Sequence, residues 1–331
     1  MEGLLVAVVV IALVFDYTNG FHDAANAVAT AISTRAVPPG IALVAAAALN
    51  VIGALVSTNV AATLAKGIVV SSAVTPPVMF GGLVGAIFWN LLTWWWALPS
   101  SSSHCLIGGV SGAVLATSGS ASVQWSGIVE KVLVPTLCAP LIGFAFGVAL
   151  MVSILWVFRR AHPGPLQRRF RAAQLVSASF MAFSHGSNDA QKTMGVITLA
   201  LFSSGAIGTL DVPLWVKLAS AVVIGLGTYS GGKRIIRTLG MRLVKLTPVH
   251  GFAAETAASA VLLGTAHFGF PVSTTHVIST SIMGVGATQR LSAVKWGLTR
   301  DILLAWVLTL PAAGLVGGGC ALVSQLVFGA K

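Results

Sequence analysis

Apolar stretches long enough to cross a bilayer recur from one end of this chain to the other, and that recurrence leaves few folds open. A hydrocarbon layer about 30 Å thick needs roughly 20 mostly apolar residues per helical crossing. Such stretches lie near 3–33, 40–64, 78–97, 130–157, 173–203, 212–230, 251–268 and 298–328. Gly and polar residues interrupt several of them, so about eight to twelve crossings are expected. Only 8% of the 331 residues are charged and 56% are hydrophobic, whereas a soluble surface draws on roughly a quarter charged residues. The expected fold is an all-α polytopic membrane protein. Its 36 Gly and runs such as Ala45–Ala48 suit helices packed closely in lipid rather than a β-barrel. The first stretch reads as part of the mature protein, because Met1-Glu2-Gly3 carries no basic region and Asp16 and Asn19 stand where a cleavage site would follow. Cys105, Cys138 and Cys320 are scattered, which suggests neither a disulfide framework nor a CxxC metal site.

A net charge of +11 raises nucleic-acid binding as a function, and the distribution of that charge argues against it. Arg159, Arg160, Arg168, Arg169 and Arg171 crowd a loop at 158–172, and Lys233, Arg234, Arg237, Arg242 and Lys245 form a second group. Basic loops of this kind mark the cytoplasmic face. Two apolar stretches, 173–203 and 212–230, separate the groups, which agrees with both being on one side.

The chain repeats itself. Asn19-Gly20-Phe21-His22-Asp23-Ala24-Ala25-Asn26-Ala27 aligns without gaps on His185-Gly186-Ser187-Asn188-Asp189-Ala190-Gln191-Lys192-Thr193, with Gly20, Asp23 and Ala24 on Gly186, Asp189 and Ala190. A second pair follows in the same order. Pro99-Ser100-Ser101-Ser102-Ser103-His104 matches Pro271-Val272-Ser273-Thr274-Thr275-His276, and the register sets Gly112 on Gly284. The expected organisation is a first repeat over 1–157, a basic linker over 158–172 and a second repeat over 173–331. Repeats are the usual construction of secondary transporters, which bind substrate near the midplane on broken helices.

Each Ser/Thr cluster follows a Pro and precedes a new apolar helix, the arrangement of a hydroxyl-capped helix start. A helix N-terminus offers unpaired N–H groups and the positive end of the dipole to an anion. Ser101, Ser102 and Ser103, with Ser273, Thr274 and Thr275, therefore make candidate donors for phosphate, whose four oxygens need many. The clusters contain no Lys or Arg, and an anion held at membrane depth by neutral donors calls for a cation beside it. Asp23 and Asp189 are carboxylates within apolar stretches, candidates for both phosphate and cation contact. Asn26, Asn188 and Gln191 would complete a hard-cation site. Lys192 holds the place of Asn26 in the second repeat, so its ammonium would stand where a cation sits or pair with Asp189. That favours a proton over sodium as coupling ion. His22, His104, His185 and His276 flank the motifs, and imidazole is the side-chain type suited to relaying protons near neutral pH. Glu255 is a further embedded acid and proton-carrier candidate, with Asn50 as its expected counterpart.

The paired segments Gly20–Ala27 and Gly186–Thr193 resemble the repeated Gly-Ala-Asn-Asp-Val-Ala-Asn-Ala signature of the inorganic phosphate transporter (PiT) family, and Pro271–His276 resembles its second hairpin. The likeness extends over nearly the whole chain and is nearest to bacterial low-affinity phosphate permeases. It implies inverted repeats with broken helices and two re-entrant helical hairpins, phosphate between the hairpin loops, and symport with sodium or protons in the bacterial inner membrane. Carried over by position, Asp23, Asn26, Asn188 and Asp189 would line the cation and phosphate region, sodium included, and Glu255 matches a family glutamate tied to transport. His22 and Lys192 stand where the signature has Asn, and Asn50 where many members have Glu; these departures lean toward protons.

The family has a sulfate-carrying branch, so a sulfate or other oxyanion permease is the alternative. A divalent-metal transporter would use His22, Asp23, His185 and Asp189 but leaves the hydroxyl clusters unexplained. Metal could still travel as a metal–phosphate complex. An intramembrane hydrolase built on Ser103 and His104, or on Thr275 and His276, is disfavoured because adjacent residues on one helix start do not face each other. The expected protein is thus no enzyme, has no cofactor beyond a coupling H+ or Na+, and has the lipid bilayer as its surroundings, with a homodimer allowed for.

Overall fold

The computed structural model describes residues 2–328, which are helical apart from short connections. The first repeat comprises α1 (Glu2–Ser33), α2 (Pro39–Ala54), α3 (Asn59–Gly67), α4 (Pro76–Trp95), α5 (Ser102–Ser118), and α6 (Trp125–Ile128) running through a π-helical turn into α7 (Val134–Val157). The second comprises α8 (Pro163–Ser203), α9 (Leu214–Ser230), α10 (Lys233–Arg237) with a π-helical continuation to Leu243, α11 (Pro248–His267), α12 (Thr274–Ala287) and α13 (Trp296–Phe328). Proline opens α2, α4, α8 and α11, where its missing N–H is one that the helix start would leave unpaired in any case.

The two series match element for element. Each has a long helix bearing the acidic signature, then a helix pair bent at a short break, by 66° between α2 and α3 and 61° between α9 and α10. A helical hairpin follows, α4–α5 or α11–α12, and a 33-residue helix closes each repeat, Trp125–Val157 or Trp296–Phe328. The hairpin turns end against the interior of α1 and α8, so the hairpins re-enter rather than cross. Six crossings remain: α1, α2–α3, α6–α7, α8, α9–α10 and α13. This corrects the expectation of eight to twelve, because apolar stretches at 78–97 and 251–268 are hairpin legs. By apolarity alone α8 does not qualify as a span, since its 41 residues carry the Arg group and the polar signature.

Three crossings per repeat turn the second repeat upside down relative to the first. Charge agrees with this path. Arg35, Arg159–Arg171, Lys233–Lys245, Arg290, Lys295 and Arg300 all fall on one side of it, and Lys66, Lys131 and Lys217 on the other. The basic side is cytoplasmic, so the α4–α5 hairpin enters from outside and the α11–α12 hairpin from inside. The stretch at 158–172 is largely not a loop, for α8 begins at Pro163 and Phe170 packs against Phe158 and Phe252.

Elements of the two repeats interleave. Hairpin α4–α5 packs on α13, hairpin α11–α12 on α7, α1 on α9 and α8 on α2. Close approach of backbones makes these crossings possible. A Cβ on Gly20 would overlap the backbone of Ile224, one on Gly186 that of Asn50, one on Gly112 that of Gly314 and one on Gly284 that of Phe144. Such crossings gain dispersion and weak hydrogen bonds where lipid supplies no hydrophobic drive between helices.

A test uses two glycines of α2. Gly53 touches the backbone of Phe183, whereas a side chain on Gly40 meets nothing within 4 Å. Gly53→Val is expected to cost about 1–3 kcal/mol, as overpacking does, and to lower the thermal midpoint in detergent, while Gly40→Val leaves it in place. Equal midpoints for the two variants would contradict the α2–α8 crossing.

Candidate functional site

The two long helices carry Asp23 and Asp189 into the middle of the protein, and the two hairpins bring their second helices, α5 and α12, to the same place. Ser101 caps α5 by accepting the His104 N–H at 3.2 Å, and Ser273 caps α12 by accepting the His276 N–H at 3.2 Å. The next hydroxyl of each cluster turns to the acid of its own repeat: Ser102 Oγ donates to Asp23 Oδ2 at 2.6 Å and Thr274 Oγ1 to Asp189 Oδ2 at 3.0 Å. Thr275 Oγ1 then crosses to the other repeat and donates to Asp23 Oδ1 at 3.2 Å. Asn26 donates through Nδ2 to both Thr274 and Thr275, at 3.2 and 2.9 Å, so one network joins the two carboxylates. Ser103 touches the opposite hairpin at the Val272 carbonyl, 3.3 Å away.

Lys192 forms an ion pair with Asp189 and donates to the Val272 carbonyl at 3.1 Å. Its ammonium thus lies on the acid, as one of the two sequence alternatives has it. His185 places Nε2 3.1 Å from Asp189 Oδ2, off hydrogen-bonding geometry, and Nδ1 3.1 Å from Asn50 Oδ1. His22 Nδ1 lies 2.6 Å from Asp23 Oδ1, a distance that calls for a proton shared between them. Its Nε2 reaches Thr93 Oγ1 at 3.3 Å and Ser100 Oγ at 3.4 Å, with those two hydroxyls 2.7 Å apart. Asp23, His22, Thr93 and Ser100 form an unbroken chain of proton-bearing groups.

Every predicted site residue is buried, none more than 3% exposed, so the centre is closed from both sides. Several polar atoms within it have no protein partner: Asn26 Oδ1 and both amide atoms of Asn188. Buried polar atoms are ordinarily satisfied, and these exceptions mark where a ligand or water belongs. A carboxylate oxygen of Asp23, one of Asp189 and a ring nitrogen of His185 lie within 4.8 Å of one another, a cluster of cation size.

Two expectations, on Gln191 and Asn50, need correction. Gln191 does not join the cluster; its Oε1 accepts the Val60 N–H at 2.8 Å and so caps α3 after the bend. Glu255 lies in a neighbouring polar group of its own, bonded to Thr30, to Gln174 at 3.0 Å and to Ser177. Asn50 is not its counterpart. It sits on α2, whose repeat partner is α9, and bonds His185 and Thr228, whereas the place of Glu255 on α11 belongs to Leu83 on α4. The partners of these residues come from other helices, which spacing along the chain does not reveal. Thr93, Gln174 and Ser177 were missed for the same reason, while Ser100 carried a signal in its Pro-led run.

Two inverted repeats, each supplying an acid on a long helix and a hydroxyl-capped helix start to one closed centre, define a secondary-transporter architecture. The chain belongs to the phosphate transporter family, whose model matches residues 19–169 and 159–317. It is accordingly a multi-pass transport protein of the plasma membrane and not an enzyme. Among curated relatives, a probable low-affinity inorganic phosphate transporter of Rhizobium meliloti is 46% identical over 98% of this chain and 97% of its own length. Proteins of the same description from Bacillus subtilis and Mycobacterium tuberculosis are 40% and 50% identical, covering 98% and 95% of this chain and 98% and 76% of their own lengths. A solved structure, "The sodium-dependent phosphate transporter", shares the fold with a TM-score of 0.90 over 98% of this chain and 100% of its own, at 22% identity.

The caps separate experimentally from the remaining hydroxyls. Ser101→Ala and Ser273→Ala each remove an N-cap and are expected to cost about 1 kcal/mol, read as a lower melting midpoint in detergent. Ser102→Ala, which leaves the cap in place, is expected to impair transport with a smaller midpoint change. The reverse ranking would overturn this division of roles.

Proposed function

We propose that the protein imports inorganic phosphate by symport with a cation, a proton in preference to sodium. One observation carries this reading: the hydroxyls of Ser102, Thr274 and Thr275 all donate to the two buried carboxylates. Each hydroxyl has a single O–H to give. Turning these donors toward phosphate takes the hydroxyl partners from both acids, leaving Asp23 with His22 and Asp189 with Lys192, and a buried carboxylate with fewer partners is costly. Phosphate therefore enters together with positive charge. Ser101, Ser103 and Ser273 flank these donors, and the N-termini of α5 and α12 add their dipoles.

Proton coupling is supported by the Asp23–His22–Ser100 chain, which links the acid to the first hairpin. Lys192 supports it too, because its ammonium already neutralises Asp189 where a sodium would otherwise sit. Asn26 and Asn188, with their unpaired amide atoms, complete the cation surroundings beside Asp23 and Asp189. Glu255 stands one helical turn from Asn26 through its bond to Thr30, so a proton held there is sensed at the site.

The test is labelled phosphate uptake into proteoliposomes under imposed proton or sodium gradients, with excess sulfate as competitor. Uptake driven by a proton gradient and resistant to sulfate is expected. Absence of phosphate uptake, or its full suppression by sulfate, would transfer the site to another oxyanion. Lys192→Asn is expected to weaken proton-driven uptake and render it responsive to sodium; an unchanged cation dependence would remove the proposed role of Lys192. Tight binding of divalent metal in the absence of phosphate would favour metal ligation by Asp23, His185 and Asp189 instead.

A further inference from the structure

Trp306 on α13 stands behind the centre and touches both hairpins. Its indole Nε1 donates to the Pro99 carbonyl at 2.9 Å. Its ring stacks on His276, with centroids 3.8 Å apart and planes 24° from parallel. Pro99 is the residue just before Ser100–Ser103, and His276 is the residue just after Ser273–Thr275. One stiff, buried side chain, 8% exposed, therefore references the loop of one hairpin and the first helical turn of the other. His276 also faces His104 with ring centroids 5.0 Å apart, and His104 Nε2 is 2.8 Å from Thr136 Oγ1 on α7. The two closing helices thus bracket the pair of helix starts from opposite sides.

The connection is made once and not twice. In the register that superposes Trp125–Val157 on Trp296–Phe328, the place of Trp306 is taken by Pro135, which has neither a ring N–H nor an aromatic face. Ser273 accepts the backbone N–H of His276, so the residue whose ring Trp306 stacks on is also the one that closes the cap of α12. Without the indole donor the Pro99 carbonyl loses its partner in a buried place, and the first loop loses its tie to α13.

We infer that Trp306 is a positioning residue for phosphate binding, fixing the separation of the two hydroxyl-bearing loops by holding Pro99 with its N–H and His276 with its face. The inference deepens the phosphate reading above and rests on it. A donor set held at the spacing of its ligand binds without first being ordered, so loosening the spacing weakens affinity more than turnover.

The experiment compares Trp306→Phe, which retains an aromatic face and loses the donor, with Trp89→Phe. Trp89 also donates to α13, at Thr309 Oγ1 3.1 Å away, and lies outside both loops. Phosphate KM and Vmax per reconstituted protein are measured in proteoliposomes, and the phosphate concentration giving half-maximal thermal stabilisation is measured in detergent. Trp306→Phe is expected to raise KM and the half-stabilising concentration about five- to tenfold, the loss of one hydrogen bond, with Vmax kept within about twofold. Trp89→Phe leaves both concentrations unchanged. A fall in Vmax at constant KM, or equal effects of the two variants, would reduce Trp306 to a packing role and overturn the inference. Should Trp306→Phe fail to insert, Trp306→Tyr is read by the same KM-to-Vmax split. Wild-type protein that takes up no phosphate would overturn the parent reading, an outcome distinct from active wild type with an unaltered variant.

Discussion

A helix that starts inside a bilayer leaves amide hydrogens that no water can satisfy, and this protein has two such starts facing one another. Ser101 and Ser273 meet the first requirement by accepting one N–H each. The remaining donors give the place a positive character that neutral side chains alone do not cancel. Asp23 supplies balancing charge, Asp189 shares its own with Lys192, and the hydroxyls of Ser102, Thr274 and Thr275 connect acid to helix start. Broken helices, buried acids and hydroxyl clusters are in this sense one solution to one electrostatic problem.

The same requirement explains why the repeats interleave. A hairpin that ends at mid-depth has to be enclosed by protein on every side, since irregular backbone is not tolerated against lipid. Its own repeat offers too few helices for that. Hairpin α4–α5 takes α13 from the other repeat, and hairpin α11–α12 takes α7. Glycine at Gly112 and Gly284 sets each hairpin close to its borrowed helix. The closing helices thereby reach the hydroxyl-bearing loops, which is how Trp306 comes to lie behind both.

Much of this was legible in the sequence, because duplication turns weak local signals into strong ones. Asp23 and Asp189, or Ser101–Ser103 and Ser273–Thr275, acquire meaning by occurring twice in order, and the structure brings them together with Asn26 and Lys192. The crossings were harder to count. Hairpin legs such as Pro76–Trp95 are apolar enough and long enough to cross a membrane, so those two properties do not distinguish a helix that turns back from one that continues. The bend after Ala54 is invisible to hydropathy for a similar reason, as the apolar run at 40–64 continues through it. Gln191 illustrates another limit. It lies two residues from Asp189, yet its side chain points to the start of α3 and caps it. Proximity in sequence suggested a ligand; the broken helix across from it had the stronger claim.

Pseudo-symmetry stops short of equivalence, and the differences concentrate at the hairpin turns. On the inner side, Arg234 of α10 donates to the Trp95 carbonyl at 2.7 Å, with its guanidinium 4.6 Å from the Trp95 ring and 5.1 Å from that of Trp94. Thr238 adds a bond to the Ala97 carbonyl at 3.0 Å, where the backbone turns with φ at 57°. On the outer side the corresponding tie is one neutral bond, from Asn59 of α3 to the His267 carbonyl at 2.9 Å, beside Gly269 with φ at 74°. A charge-assisted bond is stronger than a neutral one, and the aromatic faces add to it. A left-handed turn at Ala97 is less easily formed than one at Gly269, so the inner turn depends on its ties more than the outer one does. Two hairpins built from one ancestral pattern are therefore held closed by unequal means, which gives a symmetric frame a direction.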